Sequence, residues 1–138
     1  ISRSFELAEF KTGAARIAHE AGVPMIPTVI WGSQRIWTKG MDKNLGRSNT
    51  PVVLSYGEPV ITTGDPEEDT RRVKAAMQEL LEFNREEYER RFGPFEPGLK
   101  WMPASLGGGA PTLEEATAIQ KKEREAKLAK KQAKQGKK

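Results

Sequence analysis

Two prolines three residues apart inside the most apolar stretch of the chain, Val23-Pro24-Met25-Ile26-Pro27, constrain this fold more than any other feature. Ahead of them, Ala21-Gly22-Val23-Pro24 reads as a helix stop, because Gly accepts the left-handed cap conformation and Pro cannot continue a helix. Residues 25–30 are rich in branched side chains and short enough for a buried strand. Pro27 cannot donate to a sheet ladder, so that strand must lie at an edge or carry a bulge there. Two fixed φ angles in an apolar strand make a rigid wall. Residues 23–31 are about half the roughly 20 residues that a membrane-spanning helix needs, so any membrane contact made here is peripheral.

The rest of the chain supplies short elements of both kinds. Upstream of the stop, Phe10, Ala14, Ile17, Ala18 and Ala21 recur at helical spacing and predict one buried helix face. Residues 32–50 are polar, Gly-rich and basic, and predict an ordered loop. A second strand is expected over residues 51–56, with Val60 and Ile61 extending it after Gly57-Glu58-Pro59. Asp65-Pro66-Glu67-Glu68 opens a helix, since Asp caps free N–H groups, Pro suits the first turn and acids suit the positive dipole end. The stripe Val73, Ala76, Met77, Leu80, Leu81 and Tyr88 carries it to about Phe92. Residues 93–111 hold four Pro and five Gly and predict irregular structure. Thr112-Leu113-Glu114-Glu115 is a capping box for a last helix, but beyond Ile119 the only large apolar residue is Leu128. The expectation is an α/β fold of short strands packed with helices over residues 1–92, a connector over 93–111, and a mostly disordered Lys/Ala-rich tail over 112–138.

Charge is distributed unevenly. Residues 121–138 carry nine Lys or Arg against two Glu, a net +7, which leaves −3 of the total +4 for residues 1–120. The basic character belongs to the tail. Without Cys there is no disulfide, thiol nucleophile or thiolate metal site. No zinc spacing, phosphate-cradling Gly loop or nucleophile elbow is present.

Phe10-Lys11-Thr12-Gly13, the helix after it and Val23-Pro24-Met25-Ile26-Pro27 together resemble the glycerolipid acyltransferases, the family typified by 1-acylglycerol-3-phosphate acyltransferase. Members carry Phe-Pro-Glu-Gly-Thr-Arg-Ser-Arg, then Phe-Lys-x-Gly, a helix and a Val-Pro-x-x-Pro strand; Ile1-Ser2-Arg3 lies where the first block ends, with Ile1 in place of the usual Arg. The resemblance covers residues 1–32, and residues 51–59 more loosely, and Trp31-Gly32-Ser33-Gln34-Arg35-Ile36-Trp37-Thr38-Lys39-Gly40 is similar to bacterial members. It implies the C-terminal part of an enzyme that moves a fatty acyl group from acyl-CoA or acyl carrier protein to lysophosphatidate, in phospholipid biosynthesis. It also implies peripheral attachment at the cytoplasmic face of the plasma membrane and no cofactor beyond the acyl donor. The family's catalytic His and Asp stand five positions apart. The single His here, His19, has Pro24 at that position, so no catalytic residue is assigned and this piece alone is expected to be inactive.

The resemblance implies substrate contacts at Arg3, Lys11, Val23, Pro24 and Pro27. Lys11 also stands out on physical grounds, because a cation at a helix start opposes the dipole by about 0.3 to 1 kcal/mol, and a local rule broken this way points to a bound anion. A solvated surface Lys is the plain alternative. For Arg3 the alternative is an ion pair with Glu6, and for residues 23–27 it is ordinary core strand. His19 falls on the helix flank with no Asp, Ser or Cys at a suitable local spacing. Trp31, Arg35, Trp37 and Lys39 combine rings with cations, as a membrane interface or a nucleotide would require, or as loop aromatics do when partly buried. For the tail two partners compete: an anionic membrane surface, and nucleic acid bound by a small module with a basic tail. The net acidic folded part favours the membrane.

Overall fold

The computed structural model describes residues 3–135; Ile1, Ser2, Lys137 and Lys138 lie outside the described residues. The described chain is mixed α/β, with helices α1 (Gly13–Ala21), α2 (Pro66–Phe92) and α3 (Leu113–Gln135) and strands β1 (Thr28–Trp31) and β2 (Val53–Tyr56). It forms two compact units: Leu7–Glu96, and the residues up to Glu6 together with those from Pro97 onward. The first boundary falls at Glu96 rather than Phe92, and residues 97–111 fold with the second unit.

In the unit Leu7–Glu96, β1 and β2 pair antiparallel in the register Thr28↔Tyr56, Val29↔Ser55, Ile30↔Leu54 and Trp31↔Val53, and α2 packs on them. Gly22 at φ 64° ends α1, with its N–H on the His19 carbonyl and the Val23 N–H on that of Ala18. The strand expected over 25–30 is broken where Pro27 lacks a donor. Met25 and Val60 form an isolated bridge, the Pro27 carbonyl accepts from the Gly57 N–H at 2.8 Å, and the regular ladder begins at Thr28. In α1 the packed face is also different from the expected stripe. Ala15 and Ala18 are buried against α2, whereas Ile17 is 69% exposed and Ala14 and Ala21 are exposed.

Helix α2 organises this unit. The Asp65 carboxylate accepts from the N–H groups of Glu67 and Glu68 at 2.9 and 3.2 Å, with Pro66 in the first turn. One turn on, buried Asp69 accepts the Thr63 N–H on both oxygens and pairs with Arg72. Burial opposes its charge, but the Thr63 backbone and hydroxyl, the Gly64 N–H and Arg72 outweigh that and hold its carboxyl below the ordinary value of 3.8. Hydrogen bonds from Arg90 and Arg91 bring Glu87 down to about 2. Midway, Asn84 is 0% exposed; its amide donates to the Val29 carbonyl at 3.1 Å and its oxygen accepts from the Ser55 hydroxyl. Tyr88 closes the far end, donating to the Pro51 carbonyl at 3.0 Å and accepting from Arg35 at 2.9 Å. Gly32, at φ 99°, is required beside it, because a Cβ there would stand 2.4 Å from the Pro51 oxygen and 2.8 Å from the Tyr88 ring.

In the other unit the Pro/Gly-rich segment folds back on itself. Gly98 donates to the Gly107 carbonyl, Gly109 to that of Leu99 and Ala110 to that of Met102, around buried Met102, Pro103 and Ala110. Thr112 and Glu115 form the expected capping box, the Thr112 N–H on the Glu115 carboxylate at 2.9 Å and the Glu115 N–H on the Thr112 hydroxyl at 3.2 Å. Where the sequence predicts a mostly disordered tail, α3 continues to Gln135. Ala, Lys, Glu, Gln and Arg dominate it, all with high helix propensity, and that propensity carries the helix past Ala116, its buried contact.

Asn84→Leu keeps the volume but strips partners from the Val29 carbonyl and Ser55 hydroxyl, and is expected to lower stability by about 2 to 3 kcal/mol in urea unfolding. The depressed Asp69 carboxyl contributes stability that is present above its unfolded value near 3.8 and is lost as pH falls through its lower folded value. Asp69→Asn should therefore unfold at lower urea than the parent near neutral pH, with the gap narrowing on acidification below about pH 4. A gap that stays constant with pH would show that Asp69 contributes nothing through its charge.

Candidate functional site

Alternation along the two strands divides the sheet into a packed face and an open one. Val29 and Trp31 are buried, Val53 and Ser55 half-buried, on the side where Asn84 binds. On the other side Ile30 is 54% exposed, Leu54 46% and Tyr56 65%, and Ile26 and Val52 continue the same alternation at the strand entries. Val23 and Pro24 are exposed just upstream. The segment 23–27 is therefore split: Val23, Pro24 and Ile26 face outward, while Pro27 is fully buried, in the space that a Cβ on Gly57 would enter at 3.3 Å. Pro27 stiffens the wall from behind and is no part of its surface.

Lys11 lies at the opposite end of α1, exposed, directly before the N-cap Thr12. Thr12 makes no side-chain cap and the first turn has no acidic residue, so the positive helix end meets a cation with no built-in compensation. Nine residues at 1.5 Å each give α1 a length of about 13 Å, and Lys11 and Val23 lie beyond its opposite ends. Arg3 belongs to the other unit, where it pairs with Glu123 of α3 rather than with Glu6, whose carboxylate takes the Ser105 hydroxyl.

His19 is exposed, with its Nδ1 3.2 Å from the Thr62 hydroxyl, on a groove of about 190 Å³ lined also by Arg16, Glu20, Gly64 and Asp69. The groove brings His19 and Asp69 to one lining, but the Asp69 carboxylate is committed to Thr63 and Arg72. This leaves His19 without an orienting acid. Among the described residues no group of three His, Asp or Glu is placed to hold a metal, and no helix is long and apolar enough to cross a membrane.

The four ring and cation residues after β1 separate into two pairs. Trp31 is buried beneath Arg85 at 4.9 Å and Arg35 is held by Tyr88, so both serve the core. Trp37 and Lys39 remain exposed, with Lys43 4.5 Å over the Trp37 ring. The polar anchor Asn84 went unread, although it occupies the one place in the stripe Met77, Leu81, Tyr88 where helical spacing calls for an apolar residue.

No protein-family model matches this chain, and neither a curated protein nor a solved structure is detectably similar to it.

Proposed function

We propose that this chain is the C-terminal part of a glycerolipid acyltransferase, which moves a fatty acyl group from acyl-CoA or acyl carrier protein to lysophosphatidate at the cytoplasmic face of the plasma membrane. The observation that carries the reading is the open apolar face of Ile26, Ile30, Leu54 and Tyr56 on a sheet otherwise packed against α2. Such a face is at home against a further packed layer of a larger acyltransferase domain and its acyl chain. Lys11 adds support from the other end of α1: an uncompensated cation at a helix start suits the substrate phosphate. Val23 and Pro24 line the chain side, and Pro27 stiffens them. Arg3, paired with Glu123, contributes to substrate only by exchanging that partner. The base and its Asp belong to a His-x-x-x-x-Asp outside this chain.

The tail completes the reading as a membrane tether. Lys121, Lys122, Arg124, Lys127, Lys130 and Lys131 are exposed on α3 and make a surface for anionic lipid worth about 1 kcal/mol per contacting cation, and the sequence adds the charges of Lys134, Lys137 and Lys138. Large apolar residues are scarce there, so the attachment is electrostatic, and a helix with so little burial exchanges readily with disordered chain.

Purified chain is expected to show no acyl transfer from acyl-CoA to lysophosphatidate, and turnover above a boiled control would overturn the role assignment. A gene encoding His-x-x-x-x-Asp and Glu-Gly-Thr upstream of Ile1 would support the family, and a gene without them would sink it. In the complete enzyme, Lys11→Ala should lower kcat/KM for the phosphate-bearing acceptor about tenfold, roughly one charge-assisted hydrogen bond, while Pro27→Ala should act on stability. Unchanged kinetics in a folded Lys11→Ala enzyme would return that side chain to bulk solvent. Deleting residues 121–138 should weaken sedimentation with anionic vesicles at low salt and change little at high salt.

A further inference from the structure

We propose that the loop between β1 and β2 is a second membrane contact, one that inserts Trp37 and Leu45 into the interfacial layer of an anionic bilayer. The loop stands on the core of its own unit. Gly32 donates to the Gln34 side chain at 2.8 Å, Thr38, 4% exposed, donates to the Gln34 carbonyl at 3.0 Å, and Arg35 is bound to Tyr88. Above that base the Asn44 N–H returns to the Ile36 carbonyl at 2.8 Å and Met41 to that of Thr38 at 3.1 Å, so residues 37–43 close into a compact loop. Trp37 and Leu45 each follow one partner of the Ile36–Asn44 bond in the chain, and they are 57% and 64% exposed.

What surrounds them selects the partner. Arg35, Lys39, Lys43 and Arg47 against Asp42 give the loop a net +3, in contrast to the net −3 of residues 1–120 as a whole. An exposed indole flanked by cations on flexible stems is the chemistry of the headgroup layer, where the ring sits at the apolar boundary and the ammonium groups reach phosphates. Lys43 stacked 4.5 Å over Trp37 already places a cation beside the ring. Single-stranded nucleic acid also stacks on exposed Trp, but it has no use for the aliphatic Leu45 and the half-buried Met41. The contact differs in kind from that of α3: it is part apolar, so it resists salt.

The test uses the 138-residue chain with vesicles of phosphatidylcholine and phosphatidylglycerol whose acyl chains are brominated near the headgroup, followed by tryptophan fluorescence. With three Trp in the chain, about a third of the emission should be quenched, and Trp37→Phe should remove that quenching while far-UV circular dichroism is unchanged. Trp37→Ala combined with Leu45→Ser should lower the vesicle partition that persists at high salt by about tenfold. Absence of quenching, equal quenching in Trp37→Phe, or quenching by a single-stranded oligonucleotide but not by vesicles would each overturn the proposal, the last by assigning the loop to nucleic acid. The readout involves no acyl transfer, so it stands or falls apart from the enzymatic assignment.

Discussion

One buried amide holds the unit Leu7–Glu96 together. Asn84 reaches from α2 to the Val29 carbonyl in β1 and the Ser55 hydroxyl in β2, and it is the only fully inaccessible polar group that touches both strands among the described contacts. Two strands of four residues make a marginal sheet, because a short ladder leaves most backbone groups to water. An apolar residue at position 84 would bury area without caring about register. An amide with one donor and one acceptor engaged fixes α2 along the strands as well as against them, since a shift of one residue would present the wrong group to each partner.

The remaining devices extend that registration in both directions along α2. At one end Asp65 and Asp69 tie the helix start to the turn at Thr63. At the other, Tyr88 meets the Pro51 carbonyl before β2 and Arg35 after β1, with Phe92 edge-on at 5.1 Å and Phe95 stacked at 5.6 Å. The loop that carries Trp37 thus starts and ends on residues clamped by one helix, which is how a segment of little regular structure presents its side chains from a rigid base.

Local rules written in few residues were legible in the sequence: the Gly22-Val23-Pro24 stop, the Asp65 cap and the Thr112–Glu115 capping box all depend on neighbours within four positions. What escaped depends on tertiary partners. Ala15, rather than Ile17, joins the expected Ala18 against α2 because small side chains permit close helix approach, a choice invisible until the partner is known. Asn84 broke the apolar stripe without announcing its two strand partners. The glycines of residues 97–111 read as irregular because their backbone hydrogen bonds to Leu99, Pro103, Ala104 and Gly107 carry no side-chain signal. Of the candidate site, Lys11, Val23 and Pro24 lie on the surface as a binding role requires, whereas Pro27 and Arg3 are taken up by the core and by Glu123.

The pairing of Arg3 with Glu123 spans 120 residues, and the unit Leu7–Glu96 lies wholly between them in the chain. Closing a loop about ten times longer than a hairpin-scale one costs about 2 kcal/mol more in chain entropy, unless the intervening segment is already compact. A chain emerging from the ribosome releases residues 7–96 before Glu123, the partner of Arg3, so the inserted unit has the first opportunity to condense and shorten the loop. The second unit becomes complete only after α3 has left the exit tunnel.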